Sequence, residues 1–369
     1  MYLKNLSVVN FKNYAQAELD FSSRINCFVG NNGVGKTNLL DAIHYLALCK
    51  SYFNPVDSQN IMHDQEFSVI QGDFERKEKT ESIYCGIQRN KRKQFRRNKK
   101  DYPRLSDHIG LIPLVMISPS DSSLILDGGD ERRKFMNGVI SQYDKAYLED
   151  VMSYNRILTQ RNKHLKTLDG KAPTDSDMLE VYNQQLAGYG QSVFNKRNDF
   201  VTELVPVFSN FYTYISGGVE KTGLKYESQL LQNNMQGLLK EALRKDTILQ
   251  YTTVGVHRDD LEMLLDGFSL RKVGSQGQQK TYQVALKLGK FEFIRQVSGI
   301  TPILLLDDIF DKFDAGRVEQ IIRLVSENNF GQIFITDTAE QRMKNILERI
   351  NIEHKMFGIL ENQDIKELA

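Results

Sequence analysis

The octapeptide Gly30-Asn31-Asn32-Gly33-Val34-Gly35-Lys36-Thr37 meets every fixed position of the pattern G-x-x-x-x-G-K-[ST], whose chemistry is the cradling of a polyphosphate. Such a loop turns successive backbone N–H groups inward, and side chains at Gly30, Gly33 and Gly35 would obstruct that approach. Lys36 is the mobile cation for the β and γ oxygens, and Thr37 offers a hydroxyl to Mg2+. A second group of residues complements the first. The apolar run Ile303-Leu304-Leu305-Leu306 delivers Asp307 and Asp308 to a strand's C-terminal edge, which suits one carboxylate to a metal shell and the other to positioning or deprotonating water. A third is Ser275-Gln276-Gly277-Gln278, heading a helical face of Tyr282, Ala285, Leu286 and Phe293. Serine and glycine at a helix start satisfy free N–H groups and suit a phosphate, although a helix cap without any ligand has the same appearance.

These residues need elements to hold them. The apolar run 25–29 before the glycine loop reads as a strand, and Leu39, Leu40, Ala42, Ile43 and Leu46 after it recur at helical spacing. Strands are expected over 3–9 and 18–21, joined through Phe11-Lys12-Asn13-Tyr14, and the first helix should end near Cys49. Residues 51–59 read as loop. Short strands over 67–70 and 82–87 suggest an antiparallel addition, and further strands are expected over 111–117 and 332–336. Between them the pattern turns helical. Tyr147, Val151, Tyr154, Leu158, Arg161, Leu165 and Leu168 alternate spacings of four and three, so all but Arg161 form one apolar stripe. After a polar linker over 169–177 comes Tyr182, Leu186, Tyr189, Val193, an interruption at Lys196, then Phe200, Leu204, Val207 and Phe211. The two series predict an antiparallel hairpin whose first helix, roughly 28 residues, reaches only about 40 Å. Pro206 should kink or break the second.

One stretch stands out by charge. Arg89, Lys91, Arg92, Lys93, Arg96, Arg97, Lys99 and Lys100 place eight cations in twelve positions without an acid, on a chain whose formal charge is +1. Cations this dense repel unless an anion such as a phosphate backbone lies across them, the alternative being a solvated hairpin. Within it, Asn98-Lys99-Lys100-Asp101 spells the guanine-selecting N-K-x-D. It lacks the apolar strand that motif requires just before it, and we read it as coincidence. Length and composition set the frame. At 369 residues the chain exceeds the usual single domain. Cys27, Cys49 and Cys85 lie too far apart for a C-x-x-C metal site and suit a reducing, cytoplasmic setting. No apolar run approaches the ~20 residues that span a bilayer, and no signal core opens the sequence.

In this order GNNGVGKT, SQGQ and LLLDDIFDKFD resemble the ABC-type ATPases, in which two subunits sandwich two ATP molecules. More than two hundred positions separate Thr37 from Ser275, far more than in transporter ATPases. Helices inserted there resemble the SMC-like DNA-repair ATPases, although long arms and zinc-hook cysteines are missing. The short-armed branch is the RecF family, which the chain resembles over essentially its whole length. Leu6-Ser7-Val8-Val9-Asn10-Phe11-Lys12-Asn13-Tyr14, Asp130-Glu131-Arg132-Arg133-Lys134-Phe135 and Gly255-Val256-His257-Arg258-Asp259-Asp260-Leu261 carry that resemblance.

The resemblance implies an α/β fold: an ABC-type P-loop ATPase head with an antiparallel β addition and an inserted helical lobe. The head would comprise residues 1–120 and 251–369, and the lobe 121–250. It implies a cytoplasmic protein of recombinational repair, replication restart and the SOS response. Such a protein dimerises on ATP as a clamp on double-stranded DNA near single-strand gaps, and acts with RecR and RecO so that RecA can load. By the match, Gly30, Asn31, Asn32, Gly33, Val34, Gly35, Lys36, Thr37 and Asn38 bind nucleotide, and Lys12 and Asn13 approach its phosphates. Thr37 and Asp307 hold Mg2+, while Lys36 and Asp308 are the catalytic groups. Asp308 stands where many ABC-type ATPases carry glutamate, and its shorter side chain suits a slow ATPase used as a switch. Ser275, Gln276, Gly277 and Gln278 would act in trans on the γ-phosphate of ATP held by the partner subunit. The basic run would contact DNA. Thr336 and Asp337 occupy the place of the transporters' switch histidine, and Ser118-Pro119-Ser120-Asp121 that of the glutamine loop. A transporter-type ATPase subunit conflicts with the inserted lobe and the basic hairpin, and a purely structural SMC-like protein conflicts with the short arms. His257-Arg258-Asp259 also opens the kinase catalytic loop, but Leu264 stands where a kinase needs asparagine and no D-F-G follows. A capped turn before a strand over 261–265 and a direct functional role both remain open for it.

Overall fold

The computed structural model describes residues 1–76, 78–168, 170, 176–309, 315–327, 330–350 and 352–368. Strands β1 (Tyr2–Phe11) and β2 (Tyr14–Asp20) form a hairpin, and β3 (Ile25–Val29) is buried at every position, as a strand covered on both faces must be. The glycine loop leads from β3 into α1 (Lys36–Leu48), which ends at Cys49 in a left-handed conformation. Then follow β4 (Phe67–Arg76), β5 (Lys79–Gln88), β6 (Gln94–Arg97), β7 (Lys100–Asp101) and β8 (Leu114–Ile117). The helical stretch comprises α2 (Ser123–Leu126), α3 (Gly129–Ile140), α4 (Lys145–Thr167) and α5 (Ser176–Ser216). It continues through β9 (Thr222–Glu227), α6 (Met235–Leu249), β10 (Asp260–Leu265), β11 (Phe268–Ser269), α7 (Leu270–Val273) and α8 (Gln276–Ser298). The chain closes with β12 (Ile303–Leu306), α9 (Ala315–Glu327), β13 (Ile333–Asp337), α10 (Glu340–Ile350), β14 (His354–Ile359) and β15 (Ile365–Glu367).

Two compact units result. The first comprises 1–121 and 290–369, the second 122–289. In the first unit an antiparallel sheet of order β2-β1-β4-β5-β6-β7 faces a mainly parallel sheet of order β15-β14-β3-β13-β12-β8. Their shared core gathers Leu3, Phe11, Ile70 and Phe74 from one sheet and Phe28, Leu305 and Phe334 from the other around Leu39, Leu40, Ile43 and Leu46 of α1. In the parallel sheet β13 separates β3 from β12, so the ends of the glycine-loop strand and the aspartate strand flank the end of β13.

In the second unit, α4 and α5 run antiparallel. Asp150 accepts from Ser192 at 2.5 Å, Arg161 donates to Asn183 at 2.9 Å, and His164 meets the Tyr182 ring. Arg161 keeps its place in the series and is fully buried, and Asp246 of α6 enters the same interior and pairs with it at 2.7 Å. Helix α4 has 23 residues, fewer than expected. Helix α5 runs 41 residues with Pro206 inside it, so no break occurs there. The expected domain boundary at 250/251 also moves. Residues 251–289 belong to the helical unit because β10 pairs with β9 along its length, and Tyr282 of α8 donates to the Gly223 carbonyl at 2.7 Å. Those pairings are long-range and leave no periodic trace at the boundary. Residues 171–175 of the polar linker and 310–314 at the end of LLLDDIFDKFD lie outside the described residues. Among the described residues no helix is long and apolar enough to cross a membrane.

Candidate nucleotide-binding site

The loop between β3 and α1 is shaped by glycines with two different tasks. Gly30 (φ +153°) and Gly35 (φ +113°) back directly onto protein: a Cβ at Gly30 would collide with the Ile359 carbonyl, and one at Gly35 with the Asn13 amide and, at 2.9 Å, the Tyr14 hydroxyl. Gly33 (φ +84°) has open space around it, and only its left-handed backbone calls for glycine. Lys36 opens α1 almost buried, and its ammonium donates to the Gly30 and Asn31 carbonyls at 2.7 Å each. Asn32, Gly33, Gly35, Lys36, Thr37, Asn38 and Asp308 line a cavity of about 180 Å3. Val34 is buried behind the loop.

Asn13 braces this loop. Its amide donates to the Val34 carbonyl at 3.0 Å, and its oxygen accepts from Asn38 at 2.7 Å. The Lys12 ammonium pairs with Asp41 at 2.6 Å and lies 5.3 Å from the Phe53 ring centre, and like Asn13 it stands outside the residues that line the cavity. The buried Asp41 carboxylate requires a countercharge, and Lys12 supplies it.

Asp307 is 4% exposed at the end of β12. Burial pushes its carboxyl pKa up, and three hydroxyls oppose the shift: Thr37 at 2.7 Å, Thr336 at 3.0 Å and Ser118 at 3.3 Å. Ser118 thus brings the expected glutamine-loop stretch to the site, while Asp121 is held by the Ser118 N–H at 2.8 Å and by the Tyr52 hydroxyl. Asp308 turns into the cavity with φ +47°, and its N–H donates to Thr336 Oγ1 at 2.8 Å. Asp337 points elsewhere. Its carboxylate binds Arg342 at 2.7 and 2.8 Å and the Ala339 N–H at 2.7 Å.

Ser275 and Gln278 cap α8 reciprocally. The Ser275 hydroxyl accepts from the Gln278 N–H at 3.2 Å, and the Gln278 side chain accepts from the Ser275 N–H at 2.7 Å. Gln278 also donates to Glu220 at 2.9 Å, and Ser275, Gln276 and Gly277 are exposed.

Three of the eight cations in the basic run are paired with acids. Arg97 is clamped by Glu81 at 2.5 and 2.8 Å, Arg96 binds Asp101 at 2.9 Å, and Lys93 is held by Asp57 at 3.1 Å and the Cys49 carbonyl at 2.6 Å. Arg89 donates to the Gln65 carbonyl at 2.9 Å. The acids come from outside the run, which is why the stretch by itself does not show them. Lys91, Arg92, Lys99 and Lys100 are exposed and make no side-chain ion pair among the described residues. Asn98 (φ +50°) and Lys99 (φ +67°) form the two-residue turn joining β6 to β7, which accounts for the N-K-x-D decoy.

Two motif stretches meet within the second unit. Arg132 grips Asp260 at 2.6 and 2.8 Å, and Arg133 donates to the Asp259 carbonyl at 2.5 Å. The Asp259 carboxylate is buried between Arg197 at 2.7 Å and Tyr226 at 2.5 Å. His257 donates from Nε2 to the Thr252 carbonyl at 3.0 Å and accepts the Tyr154 hydroxyl on Nδ1 at 2.8 Å; burial pushes its pKa down to about 4 and keeps it neutral. A cavity of about 320 Å3 beside them is bordered by Arg133, Tyr154, Arg197 and His257, all engaged in these bonds. Of the two readings open for His257-Arg258-Asp259, the geometry matches the turn before a strand: Val256–Arg258 is a short helical turn leading into β10.

A glycine loop after β3, acidic residues after β12 and β13 between them, together with an antiparallel sheet and a helical insert, define an ABC-type P-loop ATPase head of the SMC kind. The chain belongs to the RecF/RecN/SMC family, whose N-terminal domain model matches residues 2–363, and within it to the RecF proteins. It is 52% identical over 369 residues to the DNA replication and repair protein RecF of Bacteroides fragilis, covering 100% of this chain and 99% of that one. Its identity to RecF of Flavobacterium johnsoniae is 46% over 359 residues, covering 97% and 100%. A solved structure of the recombination mediator protein RecF with ATP, from the RecFOR pathway, matches with TM-score 0.90 and 29% identity over 100% of this chain and 98% of that one. An Smc head bound to the C-terminal winged-helix domain of ScpA matches with TM-score 0.60 at 15% identity, a likeness of fold.

Proposed function

We propose that this protein is a slow, Mg2+-dependent ATPase that dimerises on ATP and clamps duplex DNA near single-strand gaps, in cytoplasmic recombinational repair with RecR and RecO ahead of RecA loading. The observation that carries the proposal is the 2.7 Å hydrogen bond from Thr37 to Asp307, which joins the glycine loop to the acidic strand end beside the cavity. The open space at Gly33 and the Lys36 ammonium suit a polyphosphate. Among the described residues no group of three or more His, Cys, Asp or Glu side chains is placed to hold a metal ion. A shell of Thr37, Asp307, phosphate oxygens and water suits Mg2+, which would neutralise charge on the phosphates when bound. Asp308, which lines the same cavity, would orient the attacking water. The ATP-bound relative and the relatives described as replication and repair proteins support the same reading.

Two results are expected. If the exposed cap at Ser275 meets ATP held by a second copy, Ser275→Arg leaves ATP binding by the monomer within about twofold and abolishes ATP-dependent dimerisation. Light scattering with ATP reads this directly, and a variant that still dimerises returns Ser275 to the role of an ordinary cap. For DNA, the four exposed cations are the ones to change. Replacing Lys91, Arg92, Lys99 and Lys100 with Gln should weaken binding to every duplex sequence alike. It should also flatten the slope of log affinity against log salt by about 0.9 for each phosphate no longer neutralised, up to roughly 3 or 4. An unchanged slope removes the hairpin from the DNA surface.

A further inference from the structure

Asp307 and Asp308 are neighbours in sequence but have different tasks, and one buried hydroxyl touches both. Thr336 Oγ1 donates to Asp307 Oδ1 at 3.0 Å and accepts the Asp308 N–H at 2.8 Å. Thr336 is fully buried near the end of β13, the strand lying between β3 and β12 in the sheet, in register with Phe28 of β3. Its neighbour Ile335 is in register with Leu306, the residue before Asp307. The hydroxyl therefore reaches the site from rigid sheet. Asp308 turns the chain there with φ +47°, a left-handed conformation that aspartate tolerates better than most residues, and the bond from its N–H to Thr336 fixes that turn. It is this backbone turn that places Asp308 on the cavity bordered by Lys36 and Thr37, while Asp307 stays buried under Thr37.

We infer that Thr336 is a positioning residue for hydrolysis: its hydroxyl fixes the Asp307–Asp308 backbone so that one carboxylate stays with Thr37 and the other faces the reacting phosphate. The hydroxyl acts through Asp307 and the Asp308 N–H, the two groups it bonds. The inference rests on the reading of this cavity as an ATP site, and the test separates the two.

Thr336→Ser and Thr336→Ala both remove the methyl and differ in the hydroxyl alone, and Thr336→Val keeps the shape without the hydroxyl. ATP affinity by equilibrium titration, single-turnover hydrolysis and the melting midpoint would be measured on the full chain with Mg2+. Expected for both the Ala and Val variants is ATP affinity within about threefold of the parent, with hydrolysis at least about tenfold slower. The Ser variant should hydrolyse within about threefold of the parent. A parent protein that does not bind ATP defeats the site reading itself. If the parent turns over ATP and the Ala variant matches the Ser variant in rate, the hydroxyl does not position Asp308 and the inference is overturned. Should the Val variant fail to fold, the Ser–Ala comparison alone decides.

Discussion

Replacing Lys36 with alanine is expected to lower ATP affinity at least about 100-fold, or roughly 2.7 kcal/mol. The ammonium donates to the Gly30 and Asn31 carbonyls at the loop that a triphosphate would occupy, and among the described residues no other side chain lining the cavity is cationic. Hydrogen bonds to charged groups contribute about 1.5–3 kcal/mol each, and a lysine on a polyphosphate makes more than one. Lys36→Arg should not restore binding, because a planar guanidinium does not fit where a compact ammonium sits between two carbonyls. Equilibrium titration with ATP and Mg2+ measures both variants. Tight binding retained by the alanine variant would remove the glycine loop from the nucleotide site.

The second large effect lies in the helical unit and concerns stability. Arg161 and Asp246 are both fully buried; Arg161 also reaches Asn183 and Thr252, and Asp246 accepts from the Thr253 N–H at 2.9 Å and its hydroxyl at 2.7 Å. Arg161→Met should cost about 3–5 kcal/mol by urea unfolding, since it leaves an uncompensated carboxylate in the interior. The double replacement Arg161→Met with Asp246→Leu should cost much less than the two single changes added together, because both charges then leave the low-dielectric interior. Additive losses would show that the two residues act through packing alone.

Arg161 also shows where the sequence runs short. It occupies a stripe position between Leu158 and Leu165, and periodicity alone places it inside. Its tolerance there comes from Asp246, 85 positions away, which no local pattern reveals. The basic run misleads for the same reason: Glu81, Asp57 and Asp101 neutralise three of its cations from outside the segment. By contrast, the glycine loop was legible because its backbone demands are local. Gly30, Gly33 and Gly35 all adopt positive φ, and β3 and α1 flank them as their apolar patterns predict. The aspartates after β12 were equally plain, since a buried parallel strand of four apolar residues ends there. What joins those two stretches was not. Ser118 and Thr336 reach Asp307 only because β8 and β13 flank β12, and strand order is a long-range property. Thr336 could have been suspected from its place at the end of an apolar run, next to Asp337, but nothing local said that the threonine rather than the aspartate faces the site.

The most direct test of the proposed ATP-gated clamp is analytical sedimentation of the purified full chain, alone and with ATP, Mg2+ and a gapped duplex. Expected are a monomer alone, a dimer with ATP, and co-sedimentation of that dimer with the DNA. Lys36→Ala and Ser275→Arg should both abolish the dimer, the second while still binding ATP. A protein that binds ATP yet stays monomeric, or that dimerises and ignores the duplex as a transporter subunit would, contradicts the clamp.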